Sequence, residues 1–327
     1  MKKKVYQEES EKARVIDLHN DLLCYLALSP SHTPDEASCC SLRQLREGGV
    51  CCQILPVFCP TIPGSEKTLE KQLACFHRLC EQNPDDFSTR DKSGAIRVFW
   101  AVENISSFLG EDEPIEIGIN RLQSACKQFG PPVYVTMTWN GENRCGGGPG
   151  VDKGLTDDGK AIIDALDPKT VLDLSHASDQ LARDIAEYTP KFLIASHSNF
   201  RSVTDVPRNL PDEIAQEIVN REGLIGLNVI KSFVGASKDC FFDHIEYALS
   251  NRWEDALCFG SDFFSIESVE SIVPEEFKKG DRYPFFPSWE DPSFMHDIAK
   301  QITSRFGREF AHKMLWSNAH SRLLNRM

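Results

Sequence analysis

Short apolar runs rich in Val, Ile, Leu and Phe recur along almost the whole chain, at 14–18, 50–58, 96–102, 133–138, 171–175, 192–196, 224–229 and 257–261. Most are nearly continuous rather than alternating. That pattern suits parallel strands covered on both faces, by helices outside and packed side chains inside. Between them lie stretches with apolar residues at helical spacing, at 66–80, 116–129, 179–188, 212–221 and 242–251. The strand–helix alternation, repeated about eight times, predicts an α/β protein, a (β/α)8 TIM-type barrel. A doubly wound open sheet would alternate in the same way.

The polar residues decide between the two. His19, Asp21, Glu103, Trp139, His176, His197, Asn228 and Asp262 each fall where an apolar run ends. In a parallel barrel the C-terminal ends of all strands meet at one mouth, so residues far apart in sequence converge there. An open sheet would spread them along an edge many strands wide. The constellation therefore favours the barrel, with its site at the C-terminal ends of the strands.

These are metal-ligand residue types. His19 and Asp21 stand two apart at a strand end, where i and i+2 point the same way and can reach one cation. Ser175-His176 and Ser196-His197 end two successive strands, and Glu103 ends a third. One such residue is ordinarily a satisfied polar group; five together are hard to ascribe to packing. A catalytic zinc usually takes three protein ligands and leaves one position for water. Five candidates therefore suit two ions sharing a carboxylate, whose oxygens can bridge cations about 3.5–4 Å apart. Glu103 is the natural bridge, with His19 and Asp21 on one side and His176 and His197 on the other. A water held between two dications is largely hydroxide at neutral pH and needs no serine or cysteine nucleophile. Asp262, at the end of the last strand, can take the proton of that water and return it to a leaving amine. The plainer role for such a carboxylate is to orient a ligand histidine.

Charge and composition narrow the partners. A net charge of −13 argues against a nucleic-acid backbone, which needs a basic face. No apolar run approaches a membrane span of about 20 residues. Met1-Lys2-Lys3-Lys4 is basic but is not followed by the apolar core of a signal peptide, so a cytoplasmic location is expected. The twelve cysteines show no C-x-x-C spacing, and several sit inside apolar runs, so reduced thiols packed as small hydrophobes are expected. No linker or internal repeat divides residues 1–327, which read as one barrel domain. The richest loops, 140–159 and 263–292, follow strands and are suited either to cover a substrate or to be ordinary surface insertions.

Taken in order along the chain, several short motifs resemble the renal (membrane) dipeptidase family of binuclear zinc peptidases. They are Asp17-Leu18-His19-Asn20-Asp21, Glu103-Asn104, Asp173-Leu174-Ser175-His176-Ala177-Ser178, Ser196-His197-Ser198-Asn199, Pro207-Arg208-Asn209-Leu210-Pro211-Asp212 and Gly260-Ser261-Asp262-Phe263. The resemblance implies a barrel, two zinc ions bridged by Glu103, and hydrolysis of dipeptides. It also implies that Arg208 holds the substrate's terminal carboxylate, which a guanidinium fork can do bidentately. One position departs from the family. Its best-known members carry a histidine after the fourth strand, thought to polarise the scissile carbonyl, and this chain has Trp139 in Thr138-Trp139-Asn140. Indole offers a single N–H donor, so Trp139 and Asn140 are expected at the substrate, with Asn140, Asn143 or the metal taking over the polarising role.

The function expected is a zinc-dependent dipeptidase acting on a small-molecule dipeptide with a free C-terminal carboxylate. A homodimer is compatible with the sequence. The alternatives are a metal-dependent hydrolase of another amide or lactone, and a non-catalytic binding protein on the same fold. The full set of five ligand-type residues plus Asp262 argues against the last.

Overall fold

A computed structural model describes residues 13–270 and 284–327. The basic start of the chain and residues 271–283 of the long loop after the last strand lie outside the described residues. Eight parallel strands form the centre: β1 Val15–Asp17, β2 Val50–Phe58, β3 Ile96–Glu103, β4 Tyr134–Thr136, β5 Val171–Asp173, β6 Leu193–Ala195, β7 Leu224–Leu227 and β8 Leu257–Phe259. Each pairs with its sequence neighbour, and Asp17 pairs with Phe259 to join β8 to β1, so the sheet closes into a barrel. A two-residue strand, Phe87–Ser88, flanks the first residues of β3.

The continuous apolar runs have their cause in this closure. Along β1, Val15 packs outward with the helices while Ile16 and then Leu18 pack inside. Along β3, Val98, Trp100 and Val102 face the helices, and Phe99 and Ala101 face the barrel interior. Both faces are thus removed from water. Ala319, Leu323 and Leu324, from the C-terminal helical turns, join the interior cluster. The sequence pattern did not foretell that use of the C-terminus. The helices at 68–82, 115–129, 179–188, 212–220 and 240–250 lie within two residues of their expected bounds. Ser178 caps one of them, accepting from the Leu181 N–H. No helix among the described residues is long and apolar enough to cross a membrane.

The ladders are shorter than the apolar runs, because the last residues of most runs leave the sheet to form the mouth. His176 (φ 63°) and Asp262 (φ 65°) lie in the left-handed region, which a non-glycine residue occupies only at a cost the surroundings must offset. Two glycines permit the crowding beneath them. A Cβ on Gly226 or Gly260 would stand 2.0 or 1.7 Å from the carbonyl oxygen of Ser196, the residue before His197. Backbone must move to admit it, so Gly260→Ala should cost roughly 1–3 kcal/mol, seen as a lower urea midpoint. An unchanged midpoint would show that the strand ends are not so tightly seated.

Candidate metal centre

Each ligand-type residue reaches the barrel mouth by a different local device. Glu103 is the last residue of β3 and continues its inward-facing row. His19 follows β1. Asp21 occupies the N-cap position of the helix Leu22–Leu28 but makes no capping bond, so its carboxylate is free for other work. His176 and His197 follow β5 and β6, and Asp262 follows β8, its N–H donating to the His19 carbonyl (3.1 Å).

The side chains converge in three overlapping groups: His19, Asp21 and Glu103; Glu103, His176 and His197; His19, His197 and Asp262. Within each group the ligand atoms lie within 4.8 Å of one another. Glu103 stands in the middle. Its Oε2 is 3.2 Å from His19 Nε2, and its Oε1 is 2.9 Å from His176 Nε2 and 3.7 Å from His197 Nε2. Asp21 and Asp262 approach His19 Nε2 at 3.7 and 3.8 Å. The structure therefore brings together all five ligand-type residues and Asp262.

The far nitrogen of each imidazole is held by a neutral partner. Tyr134 donates its hydroxyl to the Leu18 carbonyl (2.9 Å), so it accepts from His19 Nδ1 (2.8 Å). Asn140 Oδ1 accepts from His176 Nδ1 (3.0 Å). Ser196 Oγ lies 2.6 Å from His197 Nδ1 and close enough to the buried Asp173 carboxylate to favour its charge. Three Nδ1–H donors leave three Nε2 lone pairs facing the cluster. His176 Nε2 and His197 Nε2 then oppose each other at 3.0 Å. His19 Nε2, Asp21 Oδ1 and Glu103 Oε2 are buried with no hydrogen-bond partner. Lone pairs and carboxylates facing one small buried volume need positive charge between them, and this donor set fits divalent cations.

The titration behaviour follows from the same crowding. Burial works against a charged Glu103, but the three facing histidines, His19 foremost, overcome it and hold its carboxyl well below the usual range. Burial and the Glu103 charge push Asp21 up to about 6. Asp262 is raised well above its ordinary value by burial, with Asp21 and Glu103 adding to it. Burial would strip His19 of a proton, yet Glu103 and Asp21 raise it well above normal. His176 falls to about 4 through burial and then the Arg208 charge.

Arg208 is almost fully buried. Its Nη1 donates to Ser198 Oγ (2.7 Å) and its Nη2 to the His197 carbonyl (3.0 Å), while Nε has no partner. Among the described residues no carboxylate lies within ion-pair distance of it. Trp139 is half-buried at the mouth, its ring edge against Phe58 (centroids 5.1 Å) and 6.3 Å from His176. Asn140 has a task the sequence did not show, the hold on His176. Asn143 cannot take over a polarising role. It is buried, its amide donates to Asn104 Oδ1 and the Met137 carbonyl, and its oxygen accepts from Cys145 and Gly146. Asn228 is likewise spent on the His197 carbonyl and on Asn199.

Sequence reasoning missed Tyr134, and gave no part to Ser196, Asp17 and Asp173 beyond their place in motifs. Asp17 accepts from the Ser261 N–H (2.7 Å) and hydroxyl (2.5 Å), and Asp173 from the N–H groups of Ser175 (2.9 Å) and Ser196 (2.8 Å). Each carboxylate ties two neighbouring strand ends together under the cluster. The available signal was an aspartate as the last residue of an apolar strand, twice followed within three residues by histidine.

Comparison with known proteins gives a consistent picture. The family model described as membrane dipeptidase (peptidase family M19) matches residues 6–321. An uncharacterised dipeptidase of Schizosaccharomyces pombe is 25% identical over 311 residues, covering 83% of this chain and 73% of that protein. Among solved structures, dipeptidase AC, a metallopeptidase of family M19, superposes with a TM-score of 0.79 at 20% identity, over 97% of this chain and 99% of its own. A metallopeptidase from Rhodobacter sphaeroides, bound to a phosphinate mimic of the dipeptide L-Ala-D-Ala, gives 0.77 at 19% identity with the same coverage. At such identities the superpositions speak for the fold.

Proposed function

Since the chain belongs to the membrane dipeptidase family, peptidase family M19, and is a hydrolase of the metallo-dipeptidase class, we propose that it cleaves dipeptides bearing a free C-terminal carboxylate, with two zinc ions at the barrel mouth. His19 and Asp21 would hold one ion and His176 and His197 the other, with one Glu103 oxygen toward each. Such a pair supplies Lewis acidity and water activated at neutral pH.

The chain's own residues do the rest. Arg208 receives the substrate's carboxylate, and its burial with only neutral hydrogen-bond partners is the observation that carries the reading. A buried guanidinium without a counter-ion is costly, and a ligand carboxylate would supply both the missing charge and the partner for its fork. It stands one hydrogen bond from the backbone of His197, so a substrate fixed there has its peptide bond close to the cluster. Trp139 and Phe58 offer an apolar wall to the substrate. Asp262, whose carboxyl burial raises well above its ordinary value and so makes a stronger base when ionised, takes a proton from the attacking water and passes it to the leaving amine. Tyr134, Asn140 and Ser196 keep the three imidazoles aimed.

The test is a comparison of free dipeptides with the same dipeptides capped as C-terminal amides. A charge-assisted bidentate pair in a closed site is worth a few kcal/mol, so the free acids should be cleaved at least 100-fold faster per unit concentration, on the order of 3 kcal/mol. Arg208→Met should erase most of that difference by slowing the free acids, and Arg208→Lys should restore it in part. Equal cleavage of free and capped substrates would defeat the assignment and move the chain toward general amide or lactone hydrolysis.

A further inference from the structure

The two halves of the cluster are not equivalent in charge. The His19 side has the Asp21 carboxylate to itself as well as a share of Glu103. The side formed by His176 and His197 has its share of Glu103 and two neutral imidazoles, while Asp262, which groups with His19 and His197, comes to 3.8 Å from His19 Nε2.

Arg208 stands on the poorer side. Its Nη2 is hydrogen-bonded to the carbonyl of His197 (3.0 Å) and its Nη1 to Ser198 Oγ (2.7 Å). Ser198 Oγ in turn lies 3.1 Å from Ser175 Oγ, which accepts from the His197 N–H (3.1 Å). The cation is thus built into the strand ends that present His176 and His197, and no comparable contact links it to His19 or Asp21. Among the described residues it forms no ion pair, so its charge opposes a dication placed between those imidazoles.

Resting on the reading that this cluster holds two ions, we propose that the position between His176 and His197 is the weaker of the two, and that Arg208 couples its occupation to the binding of a carboxylate. A carboxylate on the guanidinium cancels the repulsion, so it tightens the second ion. By thermodynamic reciprocity that ion tightens the carboxylate by the same factor. A substrate with a free C-terminus then helps to complete the centre that cleaves it, and a capped one does not. Arg208 is in this sense a positioning residue for the metal as well as a substrate contact.

The experiment titrates zinc alone into metal-free protein against a chromophoric chelator, with no substrate and no activity readout. Two steps of unequal affinity are expected. Propionate, which offers a carboxylate and no bond to cleave, should tighten the second step on the order of tenfold, and propionamide should leave it unchanged. Arg208→Met should tighten the second step by a similar factor without any carboxylate, barely alter the first, and abolish the propionate effect. Arg208→Lys, which keeps the charge, should keep the weak second step. A second step indifferent to propionate in the unmodified protein overturns the coupling, and that arm decides alone if the methionine variant does not fold. A second step weakened by Arg208→Met in folded protein overturns it as well. Binding of one zinc or none under every condition instead removes the two-ion reading on which the coupling stands.

Discussion

On the proposed two-ion reading, Glu103→Gln should strip both ions from the protein, not one. Its two oxygens serve opposite halves of the cluster, Oε2 facing His19 at 3.2 Å and Oε1 facing His176 at 2.9 Å. Glutamine keeps the volume but offers a single neutral acceptor, and its NH2 group is a donor that cannot ligate. The half formed by His176 and His197 would be left with no carboxylate, and the half formed by His19 with Asp21 alone. Loss of a group that merely supports a ligand typically costs 10–100-fold in metal affinity. Loss of a shared ligand should exceed that on both sides, and dipeptide turnover should fall with it. Elemental analysis after dialysis, alongside a far-UV spectrum to confirm the fold, reads the outcome. Retention of one ion at full occupancy would mean that Glu103 serves one position only.

How much of this was legible beforehand depended on whether a residue's role lay in its own strand or across the barrel. The strands were readable because closure buries both of their faces, leaving continuous apolar runs such as 171–175 and 257–261. The ligand-type residues were readable because parallel closure gathers strand ends, so position within the run located them. Roles that depend on a partner far away in sequence were not. Tyr134 looks like any aromatic of a buried strand, yet it faces inward and its hydroxyl meets His19 across a separation of 115 residues. Asn140 sits in a loop whose path places its amide on His176, and nothing local encodes that path. Asn143 looked equally available until the structure showed its amide engaged by Asn104 and Met137 and its oxygen by Cys145 and Gly146. Arg208 needed the family resemblance, because a Pro-flanked arginine in a loop has no local signal of burial. Phe87–Ser88 is too short to leave a pattern. The use of Ala319 and Leu323 inside the barrel is a matter of tertiary docking that periodicity does not report.

Asp262→Asn should retain the metal and lose turnover by roughly 10²–10⁴-fold. The substitution suits the site. Asparagine tolerates the left-handed backbone better than most residues, so the φ of 65° and the bond from its N–H to the His19 carbonyl can persist. What is lost is a group able to accept a proton and give it back. The position favours that use, since burial and the charges of Asp21 and Glu103 raise the Asp262 carboxyl well above its ordinary value, making it a far better base than an exposed carboxylate. The competing role is ligation, because Asp262 Oδ1 lies 3.8 Å from His19 Nε2 and groups with His19 and His197. The two roles separate by measuring metal content and kcat on the same preparation. Metal retained with kcat collapsed supports proton transfer. Metal lost in step with activity makes Asp262 part of the coordination shell. Near-normal turnover rejects both, and would leave the proton to solvent or to the substrate's own amine.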